Sequence, residues 1–489
     1  MSLVTFELCL EEALCLLNRV FSPAHQFIVN LAVTADCKLF SLPSEKGIPL
    51  SFGRRSLLAK VADYLINMRR VLIITYYWPP NGGAGVYRWL KLSKLLPGHG
   101  WQPVIYTPEN PEVVADDPGL LRDVRNDIEV VKRLITEPFN LYKRFTGRST
   151  KEKVQVGFLN EKKQGGWKED FALWVRSNFF IPDARVWWVR PSVKFLKEYL
   201  KKNPVDAIIT TGPPHSMHLI GLGLKRALGV KWIADFRDPW TDIDFYAQLK
   251  LTRWADAKHK RLEGEVLRQA DQVLAVSWTM ATDLEKLGAK RVPVITNGYD
   301  PGDLPMPAEP VDEEFSLVHV GSLPPTRNAP ALWSALKALC DADPEFSGRF
   351  KLRLIGPVDH TIMQSIEEAG LSGHLQHVGR VSHEEAMRHM QRARVLLLLL
   401  NDTANVKGIL SGKLFEYVST GRPILGIGPV EGDVSKVLDK APHAVIDRPD
   451  LLEQGERIKA MFNAPASEPD PRWSRAATCG QVVAALNAL

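Results

Sequence analysis

The sequence predicts an α/β protein built from two doubly wound, Rossmann-like halves that face one another across a cleft. Three observations carry this reading. The chain has 489 residues, more than one ordinary domain holds. From Met68 onward, short apolar runs alternate with amphipathic stretches, the pattern of parallel strands covered by helices on both faces. The alternation breaks at a Pro-rich stretch, Asp300–Pro310, and then begins afresh. Ligands of such open sheets bind beyond the carboxyl ends of the strands.

The elements follow in order. Val71–Tyr77 is the first strand, an apolar run directly after Arg69 and Arg70, and Tyr87–Leu96 is the first helix. Strands are expected at Pro103–Tyr106, Ala207–Thr211, Trp232–Phe236, Gln272–Val276 and Val292–Ile295. Helices are expected at Met217–Leu228, Leu251–Gln269 and Thr279–Leu287. The second half places strands at Ser316–Val320, Lys351–Ile355, Leu375–Val378, Val395–Leu400, Pro423–Ile427 and Ala444–Ile446, with helices between them. No repeat relates the two halves, so their likeness is architectural.

Residues 1–67 read differently. They hold three of the five cysteines (Cys9, Cys15 and Cys37) and show no strong periodicity. The expectation is an N-terminal extension, either upstream translation from a misassigned start or a short helical addition. Glu7, Glu11 and Glu12 stand where a secretory signal would carry basic residues. The cysteines are scattered without a CxxC pair, which fits reduced thiols in a cytoplasm. No run approaches the ~18 apolar residues of a membrane span.

Hydrophobic residues at 45% and charged residues at 24% are ordinary for a globular enzyme. The charge is unevenly spread. Residues 141–202 hold 15 Lys and Arg against 6 Asp and Glu, although the whole chain carries only +6. The same block holds Phe171, Trp174, Phe179, Phe180, Trp187, Trp188 and Phe195. A local basic block points to an anionic partner such as a membrane surface, not to a uniformly basic nucleic-acid binder. Lys and Arg interleaved with Trp and Phe suit an interfacial segment, and they equally suit helices that bury their aromatics in a core.

Candidate site residues cluster at strand ends. Ser316–Val320 runs into Gly321-Ser322-Leu323-Pro324-Pro325-Thr326-Arg327. A glycine there lets a ligand approach backbone, and Arg327 can fork onto a diphosphate. After the most apolar strand, Ser411 is a plausible N-cap for the helix of Gly412-Lys413-Leu414-Phe415-Glu416-Tyr417, and Gly421 ends it. A helix start of this kind attracts anions, and Lys413 adds charge to it. Glu416, one turn in, can accept two hydrogen bonds from a ribose diol. In the first half, Asn81-Gly82-Gly83-Ala84-Gly85 could be mistaken for a dinucleotide fingerprint, but Arg88 stands at the third glycine position. His215 follows one buried strand, and Arg237 and Asp238 follow another. Asp242-Ile243-Asp244 has the spelling of a metal-binding DxD, yet it lies in a loop before a helix, and no metal is assigned.

Residues 68–489 resemble the retaining GT-B glycosyltransferases of family 4, in particular a bacterial subgroup. The segment GKLFEYVSTGRPIL resembles the family's nucleotide-binding helix, in which Glu416 matches the ribose-holding Glu. HVGSLPPTRN resembles its donor-phosphate loop, with Arg327 at the usual Lys position and Ser322 where an Arg is usual. NGGAG resembles the glycine loop on the sugar and acceptor side. TTGPPHSMHLIG and ADFRDPW resemble segments of the bacterial subgroup. Two departures stand out. Gly408 occupies the place of the family's other Glu, and Asp235, Arg237 and Asp238 occupy the region of a His that many members carry.

The resemblance implies an acceptor half over 68–300, a nucleotide-sugar half over 301–455, and a segment over 456–489 that crosses back onto the first. It implies transfer of a sugar from a nucleoside-diphosphate donor to a hydroxyl, with retention and without metal or cofactor. Arg327, Lys413, Asp238 and His215 form the expected catalytic set. Gly321, Ser322, Arg327, Gly356, Lys413, Leu414 and Glu416 form the donor set, and Gly82, Gly83, Arg88 and Arg237 the acceptor side. The expected partners are a lipid-linked or cell-surface glycan and an anionic membrane on the cytoplasmic side, with a role in polysaccharide synthesis. Two other classes fit the same architecture: a nucleotide-sugar 2-epimerase and a non-catalytic nucleotide-sugar binder.

Overall fold

The computed structural model describes residues 68–112, 116–136, 167–244 and 246–489. The expected extension at 1–67 lies outside the described residues, as does the part of the basic block from 141 to 166. The first sheet is built from β1 (Arg69–Ile74), β2 (Trp101–Pro108), β3 (Glu129–Arg133), β4 (Ala207–Gly212), β5 (Trp232–Phe236) and β6 (Gln272–Ala275), in the order β3-β2-β1-β4-β5-β6. The second comprises β7 (Phe315–Val320), β8 (Phe350–Ile355), β9 (Leu375–Val378), β10 (Val395–Leu399), β11 (Ile424–Ile427) and β12 (Ala444–Ile446), in the order β12-β11-β10-β7-β8-β9. Pairing is parallel, as in Ile73 opposite Ile105 and Leu398 opposite Gly426. This is the GT-B architecture of two Rossmann-like sheets.

Compactness draws a further line through the chain. Residues 68–135 and 198–209 fall in one unit, and 167–197 with 210–489 in another, so β4 contributes to both. The first unit holds β1–β3 and the helix α1 (Ala84–Leu95).

The second sheet shows how the sequence dictates burial. Side chains alternate across a strand. Val395, Leu397 and Leu399 pack into one core with Leu317, Leu352 and Ile427, while Leu396 and Leu398 pack into another with Val318, Val320 and Ile355. A strand buried on both faces must be apolar throughout, which is why the run from Val395 was so conspicuous. In this sheet the connections leave in opposite directions after β7 and β10, which are neighbours. The loops beyond those two strands therefore flank the topological switch point, where doubly wound sheets bind ligands.

Two elements differ from expectation. Val292–Ile295 is not a strand: only Val294 bridges to Ala275, because Pro293 has no N–H to continue the ladder. β3 has no counterpart among the expected strands. It is a partly exposed edge of sequence EVVKR with no apolar run to announce it. Helices fall close to their expected places: α2 (Trp167–Phe179), α3 (Val186–Lys202), α4 (Ser216–Leu228), α5 (Arg253–Gln269), α6 (Trp278–Lys286), α7 (Pro330–Ala342), α8 (His360–Glu368), α9 (His383–Arg392), α10 (Gly412–Ser419) and α11 (Arg475–Asn487). Thr252, Ser382 and Ser474 cap α5, α9 and α11 through their hydroxyls. Ser411 occupies the N-cap of α10 as expected, but its hydroxyl makes no capping bond.

Candidate functional site

At the switch point of the second sheet, the chain turns at Gly321 after β7 and at Gly356 after β8. Both have positive φ, +117° and +113°, a conformation that favours glycine. Gly321 N–H donates to Ile355 O at 2.7 Å, and a Cβ on Gly356 would lie 2.8 Å from Gly321 O. Two glycines thus let adjacent backbones pass in contact. A Cβ on Gly321 would lie 2.3 Å from Lys413 Nζ, so the lysine from α10 occupies the space that a side chain there would fill.

Lys413 has no carboxylate within ion-pair distance among the described residues. Its Nζ instead lies 3.3 Å from His319 Nε2. Burial and the positive charge of Arg327 lower its pKa to about 7, against a smaller opposing effect of Glu416. Arg327 sits in the loop after β7, where Nε donates to Asn401 at 2.7 Å and one terminal nitrogen to Ser322 O at 3.3 Å. The expected fork is therefore partly used to tie this loop to the one after β10, a tie repeated by Asp402 N–H to Thr326 O at 2.8 Å. Burial lowers the Arg327 pKa as well.

Glu416 lies one turn into α10 and is half-buried. Its carboxylate makes no hydrogen bond among the described residues. Burial raises its pKa, partly offset by His383 and Lys413. The next residue, Tyr417, pins the helix: Val320 N–H donates to its hydroxyl at 2.9 Å. Leu414 is fully buried in the core, so only its backbone is available to a ligand. The structure therefore brings together Gly321, Ser322, Gly356, Arg327 and Lys413, with Glu416 close enough to act on Lys413 electrostatically.

Arg237 and Asp238 line a separate pocket of about 320 Å³, shared with Thr279 and Asp283 of α6 and with Asn405 and Gly408 from the loop before α10. Surrounding protein raises the Asp238 carboxyl pKa, yet its side chain remains open to the pocket. Arg237 donates to Pro213 O at 2.6 Å. Gly408 meets α6 directly: a Cβ there would lie 3.0 Å from Thr279 Cβ. Asp433 accepts from Thr279 N–H at 2.8 Å and so caps the start of α6.

His215 is buried and stacked on Trp240 at 5.0 Å, in a ring cluster with Phe236 and His218. Burial lowers its pKa to about 4, so it is neutral near pH 7. In the other unit, Gly83 forms the N-cap of α1 with φ +96°, Gly82 is buried, and Arg88 is buried on α1. Among the described residues no group of three or more His, Cys, Asp or Glu side chains could hold a metal ion, and no helix is long and apolar enough to cross a membrane.

His319 is the site residue that sequence reasoning missed. It lies within an apolar strand and reads as core. Only its position immediately before Val320-Gly321 ties it to the loop after β7.

Residues 81–303 match the model of Glycosyltransferase Family 4. Among solved structures, the fold is similar to a trehalose-6-phosphate synthase, at 13% identity and TM-score 0.54, covering 86% of this chain and 99% of that one. It is also similar to an α,α-trehalose-phosphate synthase (UDP-forming) from Burkholderia vietnamiensis, at 12% identity and TM-score 0.51, covering 86% and 100%. A lipopolysaccharide outer core galactosyltransferase matches at 12% identity and TM-score 0.50, covering 86% and 99%. Among curated proteins none matches the chain. Residues 81–303 are thus similar to Glycosyltransferase Family 4, and the two parallel sheets give the chain the GT-B fold.

Proposed function

We propose that the second half binds a nucleoside-diphosphate sugar and that the enzyme passes the sugar to a hydroxyl with retention, without a metal. One observation carries this reading. Lys413 and Arg327 are two cationic side chains placed close together at a sheet switch point, with no carboxylate among the described residues paired to either. Like charges held this way are costly unless an anion joins them. A diphosphate supplies that charge, and the uncapped start of α10 adds backbone N–H groups. Glu416, whose carboxylate makes no hydrogen bond among the described residues, can accept from a ribose diol one turn further on. As the leaving diphosphate gains charge, the cations stabilise it, which is the main electrostatic task of the reaction. Without an obvious carboxylate nucleophile, the departing phosphate oxygen is the group that takes the acceptor's proton.

The acceptor is proposed to be a lipid-linked or cell-surface glycan met at the cytoplasmic face of an anionic membrane, in polysaccharide synthesis. Phe171 and Phe179 on α2, Trp187 on α3, and Trp254 on α5 are all exposed. Trp187, Arg190 and Lys194 fall at helical spacing on one face of α3, and all three are exposed. Trp188 is buried, so the block serves both core and surface. Binding to anionic vesicles that weakens at high salt is expected in co-sedimentation; equal binding to neutral vesicles would count against the membrane role.

Glu416→Ala tests the donor site. It removes charged-acceptor hydrogen bonds worth roughly 1.5–3 kcal/mol each, so nucleoside diphosphate affinity should fall about tenfold or more. Wild-type affinity in this variant, measured by calorimetry, would move the donor site elsewhere. Donor turnover in the absence of any acceptor would point to the epimerase instead.

A further inference from the structure

We infer that His319 is a positioning residue: its neutral imidazole holds the Lys413 ammonium over Gly321, ready for a donor phosphate. The inference rests on the donor reading above. His319 is fully buried on β7. Its Nδ1 lies 2.9 Å from Leu397 O. A carbonyl can only accept, so Nδ1 carries the hydrogen. Its Nε2 lies 3.3 Å from Lys413 Nζ. An ammonium can only donate, so Nε2 presents its lone pair. Donation from Nδ1 to Leu397 O leaves the lone pair of a neutral ring on Nε2, and burial with the charges of Lys413 and Arg327 keeps the His319 pKa well below its ordinary value against the opposing backbone bonds of Leu397 and Ser322.

The choice of a neutral acceptor matters. The charged groups that act on Lys413 are Arg327 from the loop after β7 and Glu416 from its own helix. A carboxylate at position 319 would hold the ammonium but cancel its charge and compete with a phosphate. An imidazole fixes the same ammonium and leaves its charge to the ligand. Gly321 completes the arrangement, since any Cβ there would displace Nζ. His319 reaches the phosphate only through Lys413, so its effect must vanish when Lys413 is gone.

That dependence is the test. The full chain is titrated by calorimetry with ADP, GDP, UDP and dTDP, and the tightest binder is compared with its nucleoside. His319→Phe removes both ring nitrogens at similar volume. It should weaken diphosphate binding about tenfold and leave nucleoside binding unchanged. In a Lys413→Met background the same change should have no further effect on diphosphate binding. His319→Gln keeps a neutral acceptor and should stay within about threefold of wild type; it also serves if the Phe variant does not fold. Equal losses of nucleoside and diphosphate, additive losses with Lys413→Met, or a Gln variant as weak as Lys413→Met would each overturn the inference while leaving the donor reading intact. A wild-type chain that binds none of the four diphosphates would overturn both.

Discussion

Each half of this molecule sends its central strand into a glycine-bearing loop and then into a helix carrying cations, but the cations have opposite fates. After β1, Gly83 starts α1, and Lys91 on that helix is nearly buried against Asp123 at 2.8 Å, with Lys94 on the same carboxylate at 2.7 Å. After β10, Lys413 of α10 meets a neutral imidazole, with the Arg327 charge beside it. Both regions carry glycines ahead of a helix with lysines, although no repeat relates them. The fold supplies a counter-charge to Lys91, whereas on the proposed reading Lys413 takes its counter-charge from the donor.

The largest expected effect tests that distinction directly. Lys413→Ala and Arg327→Ala should each lower donor turnover on the order of 100-fold while changing nucleoside affinity little, because leaving-group charge grows toward the transition state. Lys91→Ala should leave turnover intact and instead cost about 1–3 kcal/mol of stability, read by denaturant unfolding. If Lys91→Ala lost turnover at wild-type stability, the contrast between the helices would fail.

The glycines sharpen it at the next scale. Gly356→Ala combines positive φ with a backbone clash against Gly321 O and should destabilise by roughly 2–3 kcal/mol. Gly83→Ala also has positive φ, but a Cβ there meets nothing within 4 Å, so the cost should be nearer 1 kcal/mol. Equal losses in chemical denaturation would show that crowding at the second site is not what its glycines relieve.

The smallest effect is in pH. The folded-state pKa of Lys413 is lowered to about 7, so the unfolded chain holds that proton more tightly. This group's contribution to stability therefore rises with pH from about 7 toward the ordinary lysine range. Anion binding favours the protonated form and runs the other way. Diphosphate affinity should fall by about threefold per pH unit above pH ~7.5. Lys413→Met should flatten that slope in calorimetric titrations.

Much of this was legible beforehand because burial writes itself plainly into parallel strands. β7, β8, β10, β11 and β12 fall almost where their apolar runs lie, since buried strands admit few polar residues. β3 did not, because an exposed edge strand needs no such run. Arg327 and Lys413 were recognisable by residue type after glycine-marked strand ends. His319 was not, because a histidine within an apolar strand looks the same whether it packs or anchors; only the positions of Leu397 O and Lys413 Nζ decide between them. Arg327 shows the reverse limit: its charge was evident, but its tether to Asn401 was not.

The contact between Gly408 and Thr279 bears on how such a protein can change by mutation. The family resemblance places a glutamate where Gly408 stands, yet here the space beside that backbone is filled by Thr279 of α6, whose helix start is capped by Asp433. A Cβ at 408 would need Thr279 to give by a few tenths of an ångström before a longer side chain could extend toward the pocket. Tolerance of an acid at 408 therefore depends on residue 279 and on how far α6 can yield. Positions 279 and 408 are thus coupled, and Gly408→Glu should cost less in a chain that carries a smaller residue at 279.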